Sequence, residues 1–341
     1  MTILKRCSNW TVGSSKHQPD KRLTNLTSLC RHSSAAQYTR ILRIRGIWFE
    51  TPGPFLPPSM QPSWSFLKKK RKYAIDYFSR NIIPLLVSVD ELTLLPNRDE
   101  FPNGSLPLLS DILWMSLKPR LRKLNYKGTI EALQRILSPS PRYNFNPPPS
   151  LTHLVISFRI HLEWPAIPIA DKMVFVTFLR GLEPTLQSLS LRIPGQLTSI
   201  LPKLPHFPRL EHLDIRLDTY QISSKAGVAF SSFLSTHREY LKTLTLCMYP
   251  DLVSVQIYRD FCNISFPFLH TLALDCTQDF VEQTQAFPHV PRLQRFVSGG
   301  RHPDQETMIK IRERTPPSQP SIILGRSPFD SDLDAELGHD E

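Results

Sequence analysis

The sequence LEHLDI, residues 210–215, belongs to a pattern that recurs through the chain, with apolar residues at its first, fourth and sixth positions. Clear further copies are LTHLVI from Leu151, LQSLSL from Leu186, LKTLTL from Leu241 and LHTLAL from Leu269. Weaker copies are VDELTL from Val89, LRKLNY from Leu121 and LQRFVS from Leu293. The eight copies begin 24 to 35 residues apart, and repetition at such a period indicates a repeat array.

The spacing within each copy predicts a strand. The fourth and sixth positions lie two residues apart and point to the same face of a strand, and the first position joins the same core where the chain bends. Between copies the apolar residues return at helical spacing, as in residues 172–182, 225–240 and 254–262. Strands that alternate with helices predict a parallel sheet. A single unit cannot bury its own apolar face, whereas a stack of units can.

We therefore predict an α/β solenoid of irregular leucine-rich repeats, with parallel β-strands on its concave face and helices on its convex face. The array is expected over residues 38–300, with proline-rich insertions at 50–63 and 138–150. Residues 1–37 are polar, and we expect them to be partly disordered. A capping helix is expected over 301–314, and a disordered acidic tail over 315–341, apart from the apolar SIIL at 321–324.

Composition favours a reducing compartment and gives no sign of a membrane protein. The five cysteines include no C-x-x-C pair, which is typical of free thiols. No secretory signal is visible at the start, and no apolar stretch reaches the roughly 20 residues that span a bilayer. We expect a cytoplasmic or nuclear protein, or one found in both, that is monomeric.

Charge is unevenly distributed along the chain. Residues 1–150 carry 23 Lys and Arg against 9 Asp and Glu, whereas residues 151–341 carry 18 against 21. The sharpest basic run is KKKRK, and it is a candidate nuclear import signal: Lys68, Lys69, Lys70, Arg71 and Lys72. The same run also fits the solvated face of an amphipathic helix, and both readings can hold together.

No catalytic motif is present in the sequence. It contains no glycine-rich phosphate loop, no G-x-S-x-G turn and no H-E-x-x-H helix. Cys247, Cys262 and Cys276 lack the nearby paired ligands that structural zinc sites use. We therefore expect no enzyme activity, no cofactor and no metal.

The repeats PRLEHLDI, YLKTLTL and FLHTLALD resemble the leucine-rich-repeat region of the large fungal F-box-type proteins. The resemblance covers about residues 38–300. It implies a protein-binding array that serves as the substrate-recognition part of a ubiquitin-ligase receptor. The F-box that would bind the cullin-ring-ligase adaptor is not found in this chain. The asparagine ladder of regular leucine-rich repeats is also missing, since only Asn97 stands at the expected position.

The third, fifth and seventh positions of each copy should face away from the leucine core and form the binding surface. The residues that we predict to contact a partner on this concave face are Lys123, Asn125, Lys127, His153, Arg192, His212, Asp214, Arg216 and Asp275. Because Lys123, Lys127, Arg192 and Arg216 are basic, an acidic or phosphorylated segment of a protein partner is the expected ligand.

The sequence thus favours a non-catalytic protein-interaction scaffold. Two alternatives stay open. A basic nuclear or nucleic-acid-associated protein is the less favoured one, and it predicts binding to unrelated nucleic acids with steep salt dependence. The other is a truncated gene copy without selected function, which missing repeats or a poorly capped end would favour.

Overall fold

The computed structural model describes residues 9–13, 39–45, 86–95, 116–128, 130, 133, 147–158, 169–218, 223–248, 252–275, 287–299, 309, 313 and 321–324. The chain forms two compact units. The first comprises Met1–Arg159 with Pro168–Thr185, and the second comprises Ile160–Ile167 with Leu186–Glu341. None of the helices in the described part of the chain has the length and apolar character needed to cross a bilayer.

The described part of the first unit contains a parallel sheet and the helix Ile169–Arg180, together with isolated helical residues. Within it, the described strands pair in chain order, each with the next, and in register. The strands are β1 (Asn9–Gly13), β2 (Ile41–Arg45), β3 (Glu91–Leu95), β4 (Lys123–Gly128) and β5 (His153–Phe158), and the helix is α1 (Ile169–Arg180).

The described part of the second unit likewise contains parallel strands with helices between them. Six described strands pair in parallel and in chain order. They are β6 (Ser188–Pro194), β7 (His212–Asp218), β8 (Thr243–Met248), β9 (Thr271–Asp275), β10 (Arg295–Gly299) and β11 (Ser321–Leu324). A 3-10 helix (Gly195–Lys203), α2 (Ser224–His237) and α3 (Leu252–Cys262) lie between them along the chain. The predicted parallel α/β arrangement is confirmed, and in each unit the strand order is linear and open.

The predicted strand positions agree with the structure for all eight copies of the repeat. In each copy the strand begins two residues after the first position, from Glu91 in the copy at Val89 to Arg295 in the copy at Leu293. The first positions are buried in every copy, with Leu210 and Leu241 fully enclosed. The fourth and sixth positions are buried as well, and each fully buried leucine contributes about 2 kcal/mol of hydrophobic stabilisation.

Three strands lie outside the eight copies. In β2 the position equivalent to the first leucine is Thr39, which is fully buried. Because this residue is polar, a search for apolar residues at the first position does not detect the repeat. Strand β1 lies within the segment that we expected to be polar and partly disordered. Strand β11 is the SIIL sequence of the predicted tail, and it pairs in register with β10. The insertion at 50–63 and most of the expected capping helix lie outside the described residues.

A backbone hydrogen-bond pattern links successive repeats and explains their common register. The carbonyl oxygen just before a strand accepts two N–H groups from the start of the next strand. Glu211 O accepts from Lys242 N at 2.8 Å and from Thr243 N at 3.1 Å, and His270 O accepts in the same way from the start of β10. This bond pair recurs at the starts of β3, β4, β5, β7, β8, β9 and β10, so loops of different length still bring these strands to the same register.

Candidate functional site

The strand face is the side of each sheet opposite the leucine core, formed by the third, fifth and seventh positions of the repeats. On β4 the burial alternates as expected, with Lys123, Asn125 and Lys127 half-buried between enclosed Leu124 and Tyr126. Parallel pairing in register aligns equal positions of neighbouring strands, so each unit presents three rows of side chains on this face.

In the first unit the predicted residues form a partly neutralised polar cluster. Lys123 Nζ lies 3.4 Å from Glu91 Oε1 on the neighbouring strand. Asn125 Nδ2 donates to the same Glu91 oxygen at 3.2 Å and to Thr93 Oγ1 at 3.3 Å. The Glu91 carboxylate therefore offsets part of the positive charge expected here. The prediction of a basic strand face in the early repeats is corrected to a partly neutralised one.

His153 and Lys127 complete the predicted set in this unit. His153 is half-buried, pairs in register with Lys123, and places its Nδ1 2.8 Å from the Thr152 hydroxyl. Lys127 lies opposite Ser157 in the seventh-position row. Along the third-position row, Ile41, Glu91, Lys123 and His153 follow one another, so an apolar residue and a carboxylate interrupt any continuous basic stripe.

In the second unit two arginines lie side by side. Arg192 on β6 is the register partner of Arg216 on β7, with Arg192 exposed and Arg216 half-buried. The same row continues with Cys247 on β8 and Asp275 on β9, where the Cys247 thiol donates to Asp275 Oδ2 at 3.0 Å. This row therefore changes from basic at one end to acidic at the other.

The fifth-position row of the second unit is the middle row of the strand face and is called its floor. Its side chains are small or short, and most are buried: Ser190, Asp214, Thr245, Ala273 and Val297. Asp214 is only 7% exposed although it lies on the strand face. His212 precedes it in the third-position row and is exposed.

Asp214 has an unusual environment for a carboxyl group. Its Oδ2 accepts a hydrogen bond of 2.7 Å from the Ser190 hydroxyl. Its Oδ1 is buried and has no hydrogen-bond partner. Burial raises the pKa of Asp214 above its ordinary value, and the Ser190 hydrogen bond and the Arg216 charge oppose that rise.

The nine predicted face residues are therefore brought together as two sets, one in each unit. The first set is Lys123, Asn125, Lys127 and His153, and the second is Arg192, His212, Asp214, Arg216 and Asp275. The candidate import signal, Lys68–Lys72, lies outside the described residues. Within the part of the chain that the structure describes, no group of three metal-ligating side chains converges.

Sequence reasoning missed Glu91 as a face residue, and it gave no special weight to Ser190 or Thr245. A signal for Glu91 was available, because it occupies the third position of the weak copy at Val89. Nothing in the sequence could signal that the fifth-position row of the second unit is buried, since that depth depends on the side chains of neighbouring strands.

No family model matches this chain, and no curated protein sequence matches it.

Proposed function

We propose that this chain is a non-catalytic protein-binding scaffold, and that the strand face of its second unit binds an acidic or phosphorylated segment of a protein partner. The observation that carries the proposal is the in-register pair Arg192 and Arg216 beside a floor of small side chains. By its repeat sequence we further propose that the array is of the leucine-rich-repeat type.

Two guanidinium groups on adjacent strands suit an anion well. Neighbouring strands lie about 4.8 Å apart, so both side chains can reach a single phosphate or carboxylate. Each guanidinium offers a planar pair of N–H donors that matches an oxyanion in a bidentate way. The side chains of the floor beside them are small or short, which lets an extended chain come close to the sheet.

Charge reversal tests this proposal. In the variant R192E/R216E we expect capture of the partner from cell extract to be lost and its affinity to fall at least a hundredfold, because two attractive contacts become repulsive. The matched control is R209E/K225E, which makes the same charge change at an exposed turn residue and at an exposed residue of α2. Equal binding by wild type and R192E/R216E would refute the proposed strand-face interaction.

The resemblance to fungal F-box-type proteins supplies a more specific proposal, the substrate-recognition part of a ubiquitin-ligase receptor. The first measurement is the 5′ end of the native transcript, read in frame upstream of Met1. An additional helical F-box segment would make binding of the cullin-ring-ligase adaptor the next test. An in-frame stop just upstream would leave a stand-alone repeat protein and would exclude this role.

Salt dependence separates the scaffold from the nucleic-acid alternative. Binding of unrelated DNA or RNA would weaken steeply with salt, in proportion to the number of phosphates contacted. A specific interface at Arg192 and Arg216 should show a shallower slope, and its affinity should respond to R192E/R216E and not to the control variant.

A further inference from the structure

Asp214 lies at the centre of the second unit's strand face with one oxygen unused. Ser190 on one neighbouring strand satisfies Oδ2, whereas Oδ1 is buried and accepts no hydrogen bond. Thr245, the register partner on the other side, does not donate to it. The carboxyl group is therefore shielded from water without being fully satisfied by the protein.

This arrangement destabilises the folded chain. A buried carboxyl oxygen without a partner loses the hydrogen bonds that water would supply and gains none from the protein. The same row accommodates Ala273 and Val297 farther along, so an apolar residue fits such a floor position. An unsatisfied buried polar group in a native structure calls for an explanation, and a ligand that supplies the missing hydrogen bond is one such explanation.

We propose that an extended peptide segment displaces the side chains that cover Asp214 Oδ1, so that this oxygen accepts a hydrogen bond from a main-chain N–H of the peptide, whose acidic or phosphorylated side chain contacts Arg216 and Arg192. This inference rests on the proposed function and adds the second contact of the same site. The ligand class is thus a peptide that presents an amide donor about two residues from an anionic side chain.

The geometry of the strand sets that spacing. Asp214 and Arg216 are two residues apart on β7 and therefore about 6.6 Å apart along the strand. An extended peptide advances by about 3.3 Å per residue, so an N–H and a charged side chain about two residues away span the same distance. A neutral amide donor also suits this place better than a lysine, because Arg192 and Arg216 would repel a second cation.

The probe is a degenerate nonapeptide library with phosphoserine or glutamate fixed at its centre, presented to the full-length chain. The best binder is then resynthesised with an N-methyl group at each backbone nitrogen in turn. We expect methylation at one position to weaken binding to wild type at least tenfold, because it removes the donor. The same methylation should have no further effect on the variant D214A.

Control variants separate charge from hydrogen bonding. D214N keeps an acceptor oxygen of similar shape and should retain much of the affinity that D214A loses. E239Q removes one exposed carboxylate outside the strand-face positions and should not alter the effect of N-methylation. Thermal unfolding checks that each variant is folded, and the methylation scan itself uses the wild-type protein.

The outcomes distinguish this proposal from the one it rests on. Suppose that R192E/R216E abolishes peptide binding but that D214A does not change the effect of N-methylation at any position. The amide contact is then overturned, and the proposed function is left intact. If D214N binds the phosphopeptide more tightly than wild type, and N-methylation again shows no dependence on Asp214, the amide contact is also overturned. The Asp214 charge then repels the anionic peptide. If no library peptide binds, or if binding ignores R192E/R216E, both proposals fail together.

Discussion

Three buried polar side chains of the second unit illustrate how the same burial has different consequences at different positions. His237 is fully enclosed, yet both ring nitrogens have partners. Ser298 occupies the sixth position of its repeat, where a leucine is usual, and its hydroxyl has no partner. Asp214 is unsatisfied on the strand face. Thus His237 belongs to the core, Ser298 is a weak point of the core, and Asp214 faces the proposed ligand.

The pairing of His237 fixes its protonation state. Its Nδ1 lies 2.7 Å from the Phe233 carbonyl oxygen, which accepts no bond without a proton on that nitrogen. Its Nε2 lies 2.9 Å from the Phe207 N–H and must accept from it. The ring is therefore neutral, and burial is the main cause that lowers its pKa to about 4, while the Phe233 carbonyl raises it and His206 lowers it further.

Stability should therefore fall in mild acid. Between pH 6.5 and 4 the unfolded chain binds a proton at His237 that the folded chain excludes, so this contribution is complete above about pH 6.5. It declines as the pH falls toward 4, by roughly 3 kcal/mol in total. Urea unfolding at several pH values should show a shallower pH dependence for H237A than for wild type, by up to about 1.4 kcal/mol per pH unit.

Exposed His206 provides the control, since its ring centre lies 5.1 Å from that of His237. The variant H206A should keep the wild-type pH dependence nearly unchanged. If H237A and wild type lose stability in parallel across this pH range, the neutral buried histidine is not the source of the acid sensitivity.

At the scale of the elements, most strands of the eight copies follow a turn whose residues are not part of the apolar repeat pattern. The N–H of the first repeat position bonds to a carbonyl three or four residues earlier, and that earlier residue is itself buried in most copies. Leu117, Phe207, His237 and Phe266 all occupy this place. The repeat is therefore longer than its sequence signature, and His237 substitutes for a residue that is apolar elsewhere.

The end of α1 shows how a proline-rich insertion contributes to packing in the first unit. Gly181 follows the helix, and its N–H bonds to the Thr177 carbonyl at 3.1 Å. A Cβ atom at Gly181 would lie 2.6 Å from Cδ of Pro147, which is the end of the insertion at 138–150. Because a proline ring cannot rotate away as a flexible side chain can, this close approach requires glycine.

The variant G181A should consequently be destabilised, by about 1 to 3 kcal/mol, through overpacking against Pro147. Its midpoint of urea unfolding should shift to lower concentration. The double variant G181A/P147A should recover most of that loss, since the smaller side chain leaves room for the new methyl group. A G181A protein as stable as wild type would show that the helix end and the insertion separate at little cost.

At the scale of the whole chain, the strand plan could be predicted from sequence, and the character of the face only in part. The apolar pattern located eight strands because leucine spacing depends on local geometry. It missed β2 because Thr39 is polar, and it identified neither β1 nor β11 as a repeat strand. It placed Arg192 and Arg216 on one face. It could not reveal the Glu91–Lys123 ion pair or the burial of Asp214, because both depend on side chains from neighbouring strands.

Hydrogen exchange should report how the second unit is held together. Strands β7 and β8 have described partners on both sides, whereas among the described strands β11 pairs with β10 alone. In a stack held by nearest neighbours, opening begins at the end. Mass-spectrometric exchange on the full chain should show amides of β11 at least tenfold less protected than those of β8. Equal protection would indicate one cooperative block.

The paired main-chain hydrogen bonds at the strand starts allow the side chains of the binding surface to vary while the register of the strands stays constant. Core leucines and the main-chain bond pair set the register, and the bond pair does not depend on which side chains occupy the face positions. A substitution on one strand therefore alters one stripe of the recognition surface while its neighbours keep their places. Gene duplication or loss of a repeat would lengthen or shorten that surface by one stripe, so specificity for new partners can evolve strand by strand without redesign of the fold.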